Sequence, residues 1–381
     1  MTDPSLITPA VVVMAYNRPH TLQRLLNSLA RATHPLGVSL IISIDQSDSD
    51  QVLQVAQHFS WPHGAKEIIA HPANLGLKQH ALACGDLTKQ HEYVIFLEDD
   101  LLVAPGYYSF AQQAVARYAN ETAIAGVSLY TYSYYEQAAI PFIPINDHSD
   151  VYFLQYPASW GSVLFRRSWQ KFRHWLDQGQ EILATDRLPV GVKKYWSDKS
   201  WVKYYLKYLT MHGQYYVYPR TAFSTTFSDA GAHHTSINTK YQVALQLATE
   251  VAIRWIDFDN SCCVYDTFFE LLPDRLNRLA PELAAYNYVV DLNATKEPHL
   301  YKEPFWLTTR PVRHSVASYA YQLRPAAMNV ICQLPGESIS LARTADVVLN
   351  GNRNTLHYYE HLTASQLKHL VKRKLIKQLR R

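Results

Sequence analysis

The sequence of 381 residues has few cysteines and no long apolar run. Its four cysteines lack the paired spacing of a metal site or a disulfide framework, and Cys262 and Cys263 are adjacent. No apolar run approaches the roughly 18 residues that a membrane-spanning helix needs. The opening segment, MTDPSLITPA, lacks the basic and apolar stretches of a secretory signal. We therefore expect a reduced, cytoplasmic chain without a disulfide scaffold.

A strong excess of one charge is also missing, since the net charge is +4. This balance gives no reason to expect nucleic acid as a partner. Basic residues are concentrated in the segment 366–381 (QLKHLVKRKLIKQLRR), which holds seven Lys or Arg and no acid. Its leucines recur at helical spacing, which predicts an amphipathic helix lying on an anionic membrane surface, at the inner face of the membrane. The alternative is a solvated terminal helix that packs on its own domain.

Apolar strand patterns and helical patterns alternate over the first hundred residues. Strands are predicted at 11–16 (VVVMAY), 39–45, 67–71 and 92–100, with helices between them and Thr21 capping the first helix. This order predicts an α/β fold with a mostly parallel, Rossmann-like sheet flanked by helices. Ligands of such sheets bind beyond the carboxyl ends of the strands. The polar clusters lie at these ends: Asn17–Arg18, Asp45–Asp50, Asn74–Lys78 and Glu98–Asp100.

Three acids, Glu98, Asp99 and Asp100, stand side by side in EYVIFLEDDLLV (92–103). Close carboxylates repel one another, and a buried carboxylate needs a positive partner or must hold a proton. Mg²⁺ and Mn²⁺ prefer carboxylate oxygens and often bind substrate phosphates as well. A metal at this place would stabilise the charge that develops on a departing diphosphate. The alternative is a solvated loop that begins with acids.

Aromatic residues become frequent from about residue 121, and the chain has 27 tyrosines. Flat rings with a polar tip suit sugar binding, although such rings also pack on sheets without binding anything. The segment 241–258 (YQVALQLATEVAIRWIDF) shows a helical pattern, and the residues after it are irregular and rich in proline.

Four segments, VVVMAYNRP, SIDQSDSD, NLGLKQHAL and FLEDDLLVAPGYYSF, together resemble nucleotide-sugar glycosyltransferases of the GT-A fold. The closer resemblance is to the Golgi N-acetylglucosaminyltransferase I family, in which an EDD motif precedes VAP and an aromatic pair, here Tyr107 and Tyr108. The resemblance implies that Asp100 ligates Mn²⁺ (or Mg²⁺). It places Glu98 and Asp99 near the ribose or diphosphate of a UDP-sugar.

Other residues at the strand ends are expected to bind the nucleotide sugar. Asp45 would accept a hydrogen bond from the uracil ring, or else cap its own loop as an Asx turn. Arg18 would reach the nucleotide phosphates through charge-assisted hydrogen bonds, or else lie solvated before Pro19. The same binding role is expected for Ala15, Asn17, Asn74 and Lys78.

Three later segments extend the resemblance over about residues 10–240: SWGSVLFRRSWQKF (159–172), KKYWSDKSW (193–201) and VYPRTAFSTTFSDAGAHHT (217–235). The first is similar to the family's glycine-tryptophan segment before an acceptor helix. The second implies Asp198 as the catalytic base, against the alternatives of a helix N-cap or a surface ion pair. The third implies a loop that closes over the nucleotide sugar through Arg220, Gly231 and His234, with His233 as a rival to His234.

The sequence thus predicts a metal-dependent, inverting glycosyltransferase that moves N-acetylglucosamine or a related hexose from a UDP-sugar to a glycan or lipid-linked glycan in surface polysaccharide synthesis. The expected divisions are 1–120 for nucleotide-sugar binding, 121–240 for acceptor binding and catalysis, and 241–381 as a mainly helical region with a basic tail. One alternative is a sugar nucleotidyltransferase, although MAYNRPHT lacks the glycine-rich loop expected after its first strand. The other is a catalytically inactive carbohydrate-binding scaffold.

Overall fold

A computed structural model describes residues 8–227, 229, 239–349, 363–368 and 371–372. The first part of the chain alternates strands and helices as predicted. Its elements are β1 (Ala10–Ala15), α1 (Pro19–Arg31), β2 (Leu40–Ile44), α2 (Gln51–His58), β3 (Lys66–Ala70), α3 (Gly76–Asp86) and β4 (Tyr93–Glu98). The four strands are parallel neighbours in the order β4-β1-β2-β3, which brings their carboxyl ends to one edge.

The next elements extend this sheet and add two short strand pairs. They are β5 (Leu101–Val103), α4 (Tyr107–Tyr118), β6 (Ile124–Ser128), β7 (Tyr134–Tyr135), β8 (Ile140–Pro141), β9 (Val151–Leu154), β10 (Ser162–Phe165), α5 (Arg166–Leu176), α6 (Val190–Tyr195), α7 (Trp201–His212), β11 (Tyr215–Pro219), β12 (Ser224–Thr226) and β13 (Val264–Tyr265). Among the described residues the main sheet has nine strands in the order β13-β9-β11-β6-β10-β4-β1-β2-β3. The predicted α/β class with a mostly parallel sheet is confirmed, with antiparallel pairs at β10 and between β9 and β11.

Strand β1 is buried on both faces, which explains why its sequence is an unbroken apolar run. Val11 and Val13 point into the core that holds the apolar face of α1, whereas Val12 packs in the opposite core, against the side of α3. Each leucine that α1 buries in this way contributes about 2 kcal/mol. Helices on both faces therefore cover the sheet and leave its carboxyl edge for polar residues.

The start of α1 differs from the prediction that Thr21 caps it. The N-cap is Arg18, Pro19 occupies the first helical position, and the Thr21 hydroxyl donates to the Arg18 carbonyl at 2.8 Å. Proline at the first helical position makes a side-chain cap less necessary, because its missing N–H is one of the donors that a cap would satisfy.

The predicted helix over 241–258 is wrong. Apart from a short 3-10 turn at Thr239–Tyr241, this segment has no helix and runs along the protein in extended and irregular backbone. Val251, Ile253 and Trp255 pack against the core at a spacing of two residues, which is the period of extended chain. The apolar residues of this segment thus fit both the period of a helix and that of an extended chain, and in the folded protein they pack as an extended chain.

The region after β13 contains helices, as predicted, and also a sheet that the sequence analysis did not predict. Its elements are α8 (Pro273–Leu279), β14 (Tyr288–Asp291), β15 (Phe305–Thr308), β16 (Ala317–Tyr319), α9 (Ala327–Ile331) and β17 (Ile339–Arg343). The strands form a four-stranded sheet in the order β14-β15-β17-β16. We call residues 266–349 the C-terminal extension.

Only part of the basic terminal segment is described. Residues 364–368 and 371–372 are helical, and a reciprocal pair of hydrogen bonds between Thr363 and Gln366 begins this helix as a capping box. Leu367 and Val371 are exposed there. The other residues of 366–381 lie outside the described residues. No described helix is both long and apolar enough to cross a membrane.

Candidate active site

Arg18 is the positive partner of the acidic cluster. Glu98 ends β4, Asp99 and Asp100 form a turn, and β5 follows at once. One guanidinium nitrogen of Arg18 donates to Asp100 Oδ2 at 3.0 Å, and the other donates to Asp99 Oδ1. Arg18 therefore binds two of the predicted acids, which lie 81 and 82 residues away in the sequence. It does so at the edge of the sheet where the nucleotide was expected to bind.

The cluster is buried enough to alter its protonation. Burial raises the pKa of Glu98 to about 8, and the nearby charges of Asp100 and Asp99 add to this shift. Burial also raises the pKa of Asp99 to about 6, although Arg18 and the backbone N–H of Tyr16 oppose the shift. Burial lowers the pKa of Arg18, but its attraction to Asp99 and Asp100 outweighs this effect and leaves the pKa raised. Asp99 and Asp100 share the single guanidinium of Arg18, so the cluster has room for a further cation.

One oxygen of Asp100 is left over for such a cation. Oδ1 of Asp100 is buried and has no hydrogen-bond partner among the described residues. A buried carboxylate oxygen without a partner is costly, and a hard divalent cation would satisfy it. The described residues contain no group of three or more His, Cys, Asp or Glu side chains arranged to hold a metal. The site therefore fits a cation held by one or two carboxylates together with substrate phosphates, as is usual for Mg²⁺.

The segment after β12 passes next to this cluster. Strand β12 pairs with β5 directly behind Asp100, and the Asp100 carbonyl accepts from the N–H of Phe227 at 3.4 Å. Arg24 of α1 lies over the Phe227 ring at 3.3 Å and forms an ion pair with Asp229. The chain thus enters the predicted closing loop beside the acids. Gly231, His233 and His234, which were expected to contact the nucleotide sugar, lie outside the described residues.

Asp45 acts as a helix cap in the structure. Its carboxylate is buried and accepts from the backbone N–H groups of Gln46, Leu75 and Gly76 at 3.0, 2.8 and 3.0 Å. Leu75 is the N-cap of α3 and Gly76 its first residue, so the carboxylate directly after β2 accepts from two backbone donors at the start of that helix. Asp45 therefore resembles the alternative in which it caps its own loop, but it also accepts from backbone donors in the loop before α3.

The other predicted residues of this edge are placed around Asp45. Ala15 is buried at the end of β1, and its carbonyl accepts from the N–H of Asp45 at 3.0 Å. Asn74 is exposed and donates to the Gln46 carbonyl at 2.8 Å. Asn17 is exposed beside Arg18. These residues share one edge with the acids, and their role in nucleotide-sugar binding stays a prediction.

Lys78 and Asp198 meet near the start of α7. The Lys78 ammonium lies 3.5 Å from the centre of the Tyr204 ring, and Asp198 accepts from Lys203 Nζ at 2.8 Å. Burial lowers the pKa of Lys78, and Asp198 opposes this shift. The Asp198 side chain is 81% exposed, and the hydrogen bond from Lys203 lowers its pKa. The N-cap of α7 is Ser200, so Asp198 forms the surface ion pair of the alternatives rather than a cap.

Arg220 is committed to a structural network at the end of β11. It donates to the Ser149 carbonyl at 2.8 Å, to Asp147 at 3.2 Å and to the Cys263 sulfur at 3.2 Å. Strand β11 lies three positions from β4 in the sheet, which is roughly 14 Å sideways from the acids. The structure therefore does not bring Arg220 into the acidic cluster.

The sequence analysis named the segment 159–172 but predicted no role for Trp160, which lies near the carboxyl edge of the sheet. Strand β10 pairs antiparallel with β4, with Ser162 opposite Phe96, so the register continues from Trp160 toward Glu98. Its ring contacts the rings of Tyr130, Tyr132 and Tyr241 at centroid distances of 4.9–6.0 Å. In the sequence, Trp160 could be noticed only as part of SWGS at the start of a strand. Which residues Trp160 lies next to depends on how β10 inserts into the sheet.

The first part of the chain matches a known protein family. Residues 10–164 match a family model described as Glycosyl transferase family 2. A search of curated proteins found no match. Among solved structures, S. aureus TarS 1-349 is 16% identical with a TM-score of 0.37, covering 57% of this chain and 60% of that chain.

Two further solved structures are similar at the same level. GalNAc-T7 with UDP, GalNAc and Mn²⁺ is 14% identical with a TM-score of 0.41, covering 57% of this chain and 43% of that one. The mannosyltransferase PcManGT from Pyrobaculum calidifontis, in complex with GDP-Man and Mn²⁺, is 11% identical with a TM-score of 0.36, covering 57% and 56%. The chain covers less than two thirds of each of these three structures.

The family match confirms the predicted enzyme class for the matched part of the chain, and it does not distinguish the N-acetylglucosaminyltransferase I family from other glycosyltransferases. The matched range contains β1 to β4, Arg18 and the three acids. The acidic cluster therefore lies in a GT-A domain that matches glycosyl transferase family 2 over residues 10–164.

Proposed function

We propose that this chain is a metal-dependent, inverting glycosyltransferase that moves a sugar from a UDP-sugar to a glycan or lipid-linked glycan acceptor in surface polysaccharide synthesis. The observation that carries the proposal is the buried acidic cluster, with its unpartnered Asp100 oxygen, inside the family match. The donor, N-acetylglucosamine or a related hexose on UDP, and the inverting course follow from the resemblance of the sequence motifs to the N-acetylglucosaminyltransferase I family.

The acidic cluster supplies the donor side of the reaction. Asp100 would hold Mn²⁺ or Mg²⁺ through its free oxygen while Arg18 keeps the other oxygen, so the ion pair and the cation are compatible. When bound, the metal would offset the negative charge of the departing diphosphate. Arg18 positions both aspartates and limits their mutual repulsion. Asn17, Asn74 and Lys78 would contact the nucleotide sugar from the same edge.

Asp198 supplies the acceptor side. As the acceptor hydroxyl forms its bond to the sugar and the bond to UDP breaks, the proton of that hydroxyl passes to Asp198. Its exposure leaves the carboxylate accessible to a hydroxyl. The Lys203 hydrogen bond lowers the pKa of Asp198 and weakens it as a base, so an acceptor that displaces Lys203 would make it more basic.

The described part of the terminal helix supports a peripheral position on an anionic membrane surface. Leu367 and Val371 are exposed apolar residues, and Lys368 and Lys372 are exposed and basic. Apolar and basic side chains on one exposed helix are typical of surface-bound helices. A lipid-linked acceptor would be presented at such a surface.

A donor screen tests the proposed function. Nucleotide release is measured with Mn²⁺ or with EDTA from UDP-N-acetylglucosamine, UDP-glucose, UDP-galactose and GDP-mannose. We expect metal-dependent release of UDP and no release of GDP. Formation of pyrophosphate from UTP and a sugar 1-phosphate would instead show a nucleotidyltransferase, and binding of glycans without any turnover would show an inactive scaffold.

A further inference from the structure

A cavity of about 770 Å³ lies between α6 and the C-terminal extension. One wall comes from α6 and its flanks (189–196), and the other comes from residues 294–299 of the extension. Its size falls within the range of pockets that bind small molecules, roughly 300–1,000 Å³. The acidic cluster does not line it, so the cavity is separate from the proposed donor site.

Two aromatic residues at the end of α6 give the cavity a face for sugar rings. Tyr195 is 82% exposed, and Trp196 lines the same wall. A ring of this kind offers a flat apolar surface and a polar edge, which suits the alternating C–H and hydroxyl groups of a pyranose. Such an exposed ring beside a concave surface is more informative than a scattered exposed residue.

The opposite wall is held rigid by internal hydrogen bonds. Arg310 donates to the carbonyls of Ala294 and Lys296, and Lys296 Nζ donates to the Val290 carbonyl at 2.6 Å. The hydroxyls of Thr295 and Tyr135 are 3.2 Å apart and tie this wall to β7, which directly precedes the lining residues Glu136 and Gln137. The cavity is therefore built before any ligand binds.

The charges of the lining indicate a neutral ligand. Apart from His299, the lining has two basic residues, Lys296 and Arg310, and two acidic ones, Glu136 and Glu297. Each already forms an ion pair with another residue of the chain: Lys296 with Asp266, Arg310 with Asp291, Glu297 with Lys193, and, at the surface, Glu136 with Lys240. A phosphate or a carboxylate would have to compete for a cation that already has a partner.

A continuous set of rings runs from the cavity to Trp160, which precedes the strand that pairs with β4. Trp160 contacts Tyr132 at 6.0 Å, Tyr132 contacts Tyr156 at 5.5 Å, and Tyr156 contacts Trp196 at 6.2 Å between ring centres. Asp198, the proposed base, follows Trp196 by two residues in the sequence. A ligand in the cavity would therefore have one end close to the proposed base.

We propose that this cavity binds neutral saccharide units of the acceptor, with Tyr195 and Trp196 as the stacking surface. The proposal rests on the proposed function and adds that the C-terminal extension supplies half of the acceptor site. It also specifies that the part of the acceptor bound here is uncharged, whatever anionic group anchors the glycan elsewhere.

The test uses the full-length protein, fluorescently labelled, on a printed array of neutral, phosphorylated and sulfated oligosaccharides. We expect a set of neutral oligosaccharides to bind best. Tyr195→Ala should weaken that binding about tenfold, and Tyr195→Phe should restore most of it because the ring is retained. Met211→Ala, which removes an exposed apolar side chain from the far end of α7, should bind as the wild type does.

Three results would overturn the proposal: binding to no glycan on the array, preference for anionic glycans, or equal binding by Tyr195→Ala and the wild type. Calorimetry with UDP and Mn²⁺ on the same preparations separates this outcome from failure of the proposed function. UDP binding without saccharide binding contradicts only the acceptor cavity. Saccharide binding without UDP binding contradicts the proposed UDP-sugar donor and leaves either another nucleotide sugar or an inactive carbohydrate-binding protein.

Discussion

Replacing Arg18 with glutamine removes the cation that pairs with both aspartates of the acidic cluster. The Asp99 side chain is only 5% exposed, so the variant leaves a buried carboxylate without its positive partner. Breaking one side of such a pair costs about 3 kcal/mol. Unfolding entropy is about 2.1 cal/mol/K per residue, so over 381 residues this loss lowers Tm by about 4 °C.

The pH dependence of this loss checks its cause. Burial raises the pKa of Asp99 to about 6 from an unfolded value near 4, so the folded state loses stability as pH rises through that window. Without Arg18 the pKa of Asp99 rises further. The difference between the variant and the wild type should therefore be largest at pH 7.5 and smaller at pH 5, where Asp99 holds a proton.

Thermal unfolding of Arg18→Gln, Arg31→Gln and the wild type at the two pH values measures both effects. Arg31 is an exposed residue of the same helix whose guanidinium contacts the Asn27 carbonyl, so its variant should change Tm by less than about 1 °C. An equal small loss for both variants, or a loss for Arg18→Gln that is the same at pH 5 and pH 7.5, would refute the reasoning.

Two further predictions concern the acceptor side and the core. Asp198→Asn should lower the rate of sugar transfer about 10²- to 10⁴-fold while calorimetric UDP binding stays within about twofold, and an unchanged rate would remove Asp198 from catalysis. Burial lowers the pKa of His80 to about 4, below its unfolded value of about 6.5, so its neutral form is fully favoured above pH 6.5 and stability is lost as pH falls toward 4. Between pH 7 and pH 5, the free energy of unfolding of His80→Gln should therefore fall by about 2 kcal/mol less than that of the wild type, as measured by urea unfolding. Equal decreases in the two proteins would contradict this.

Local patterns in the sequence were sufficient for the first four strands. Each contains a short apolar run beside a helical pattern. Buried parallel strands such as β1 require apolar residues on both faces, whereas β3 lies at the sheet edge and is partly exposed. The observed β1 begins and ends one residue earlier than predicted. The same patterns predicted that Glu98, Asp99 and Asp100 lie at the carboxyl edge of the sheet, because the direction of the strand is enough to determine that position.

Features that depend on distant partners were not predictable from local patterns. The partners of Arg18 and Asp45 lie in loops that the sheet brings together, so a phosphate contact and an ion pair looked alike in the sequence. The place of Trp160 depends on β10 inserting antiparallel beside β4. The segment 241–258 fitted two periods, and only packing of Trp255 and its neighbours on the core decided between them.

The most direct test of the proposed transferase is calorimetric titration with UDP, in the presence and absence of Mn²⁺, of the wild type, Asp100→Asn and Asp177→Asn. Asp100→Asn keeps the shape of the side chain but removes its charge. Asp177 is an exposed acid directly after α5, and its variant controls for the loss of a carboxylate. We predict that the wild type binds UDP tightly only when Mn²⁺ is present. Asp100→Asn should bind UDP weakly with or without Mn²⁺, and Asp177→Asn should bind UDP as the wild type does. UDP binding that is indifferent to both Mn²⁺ and Asp100 would contradict a metal-binding role for the acidic cluster.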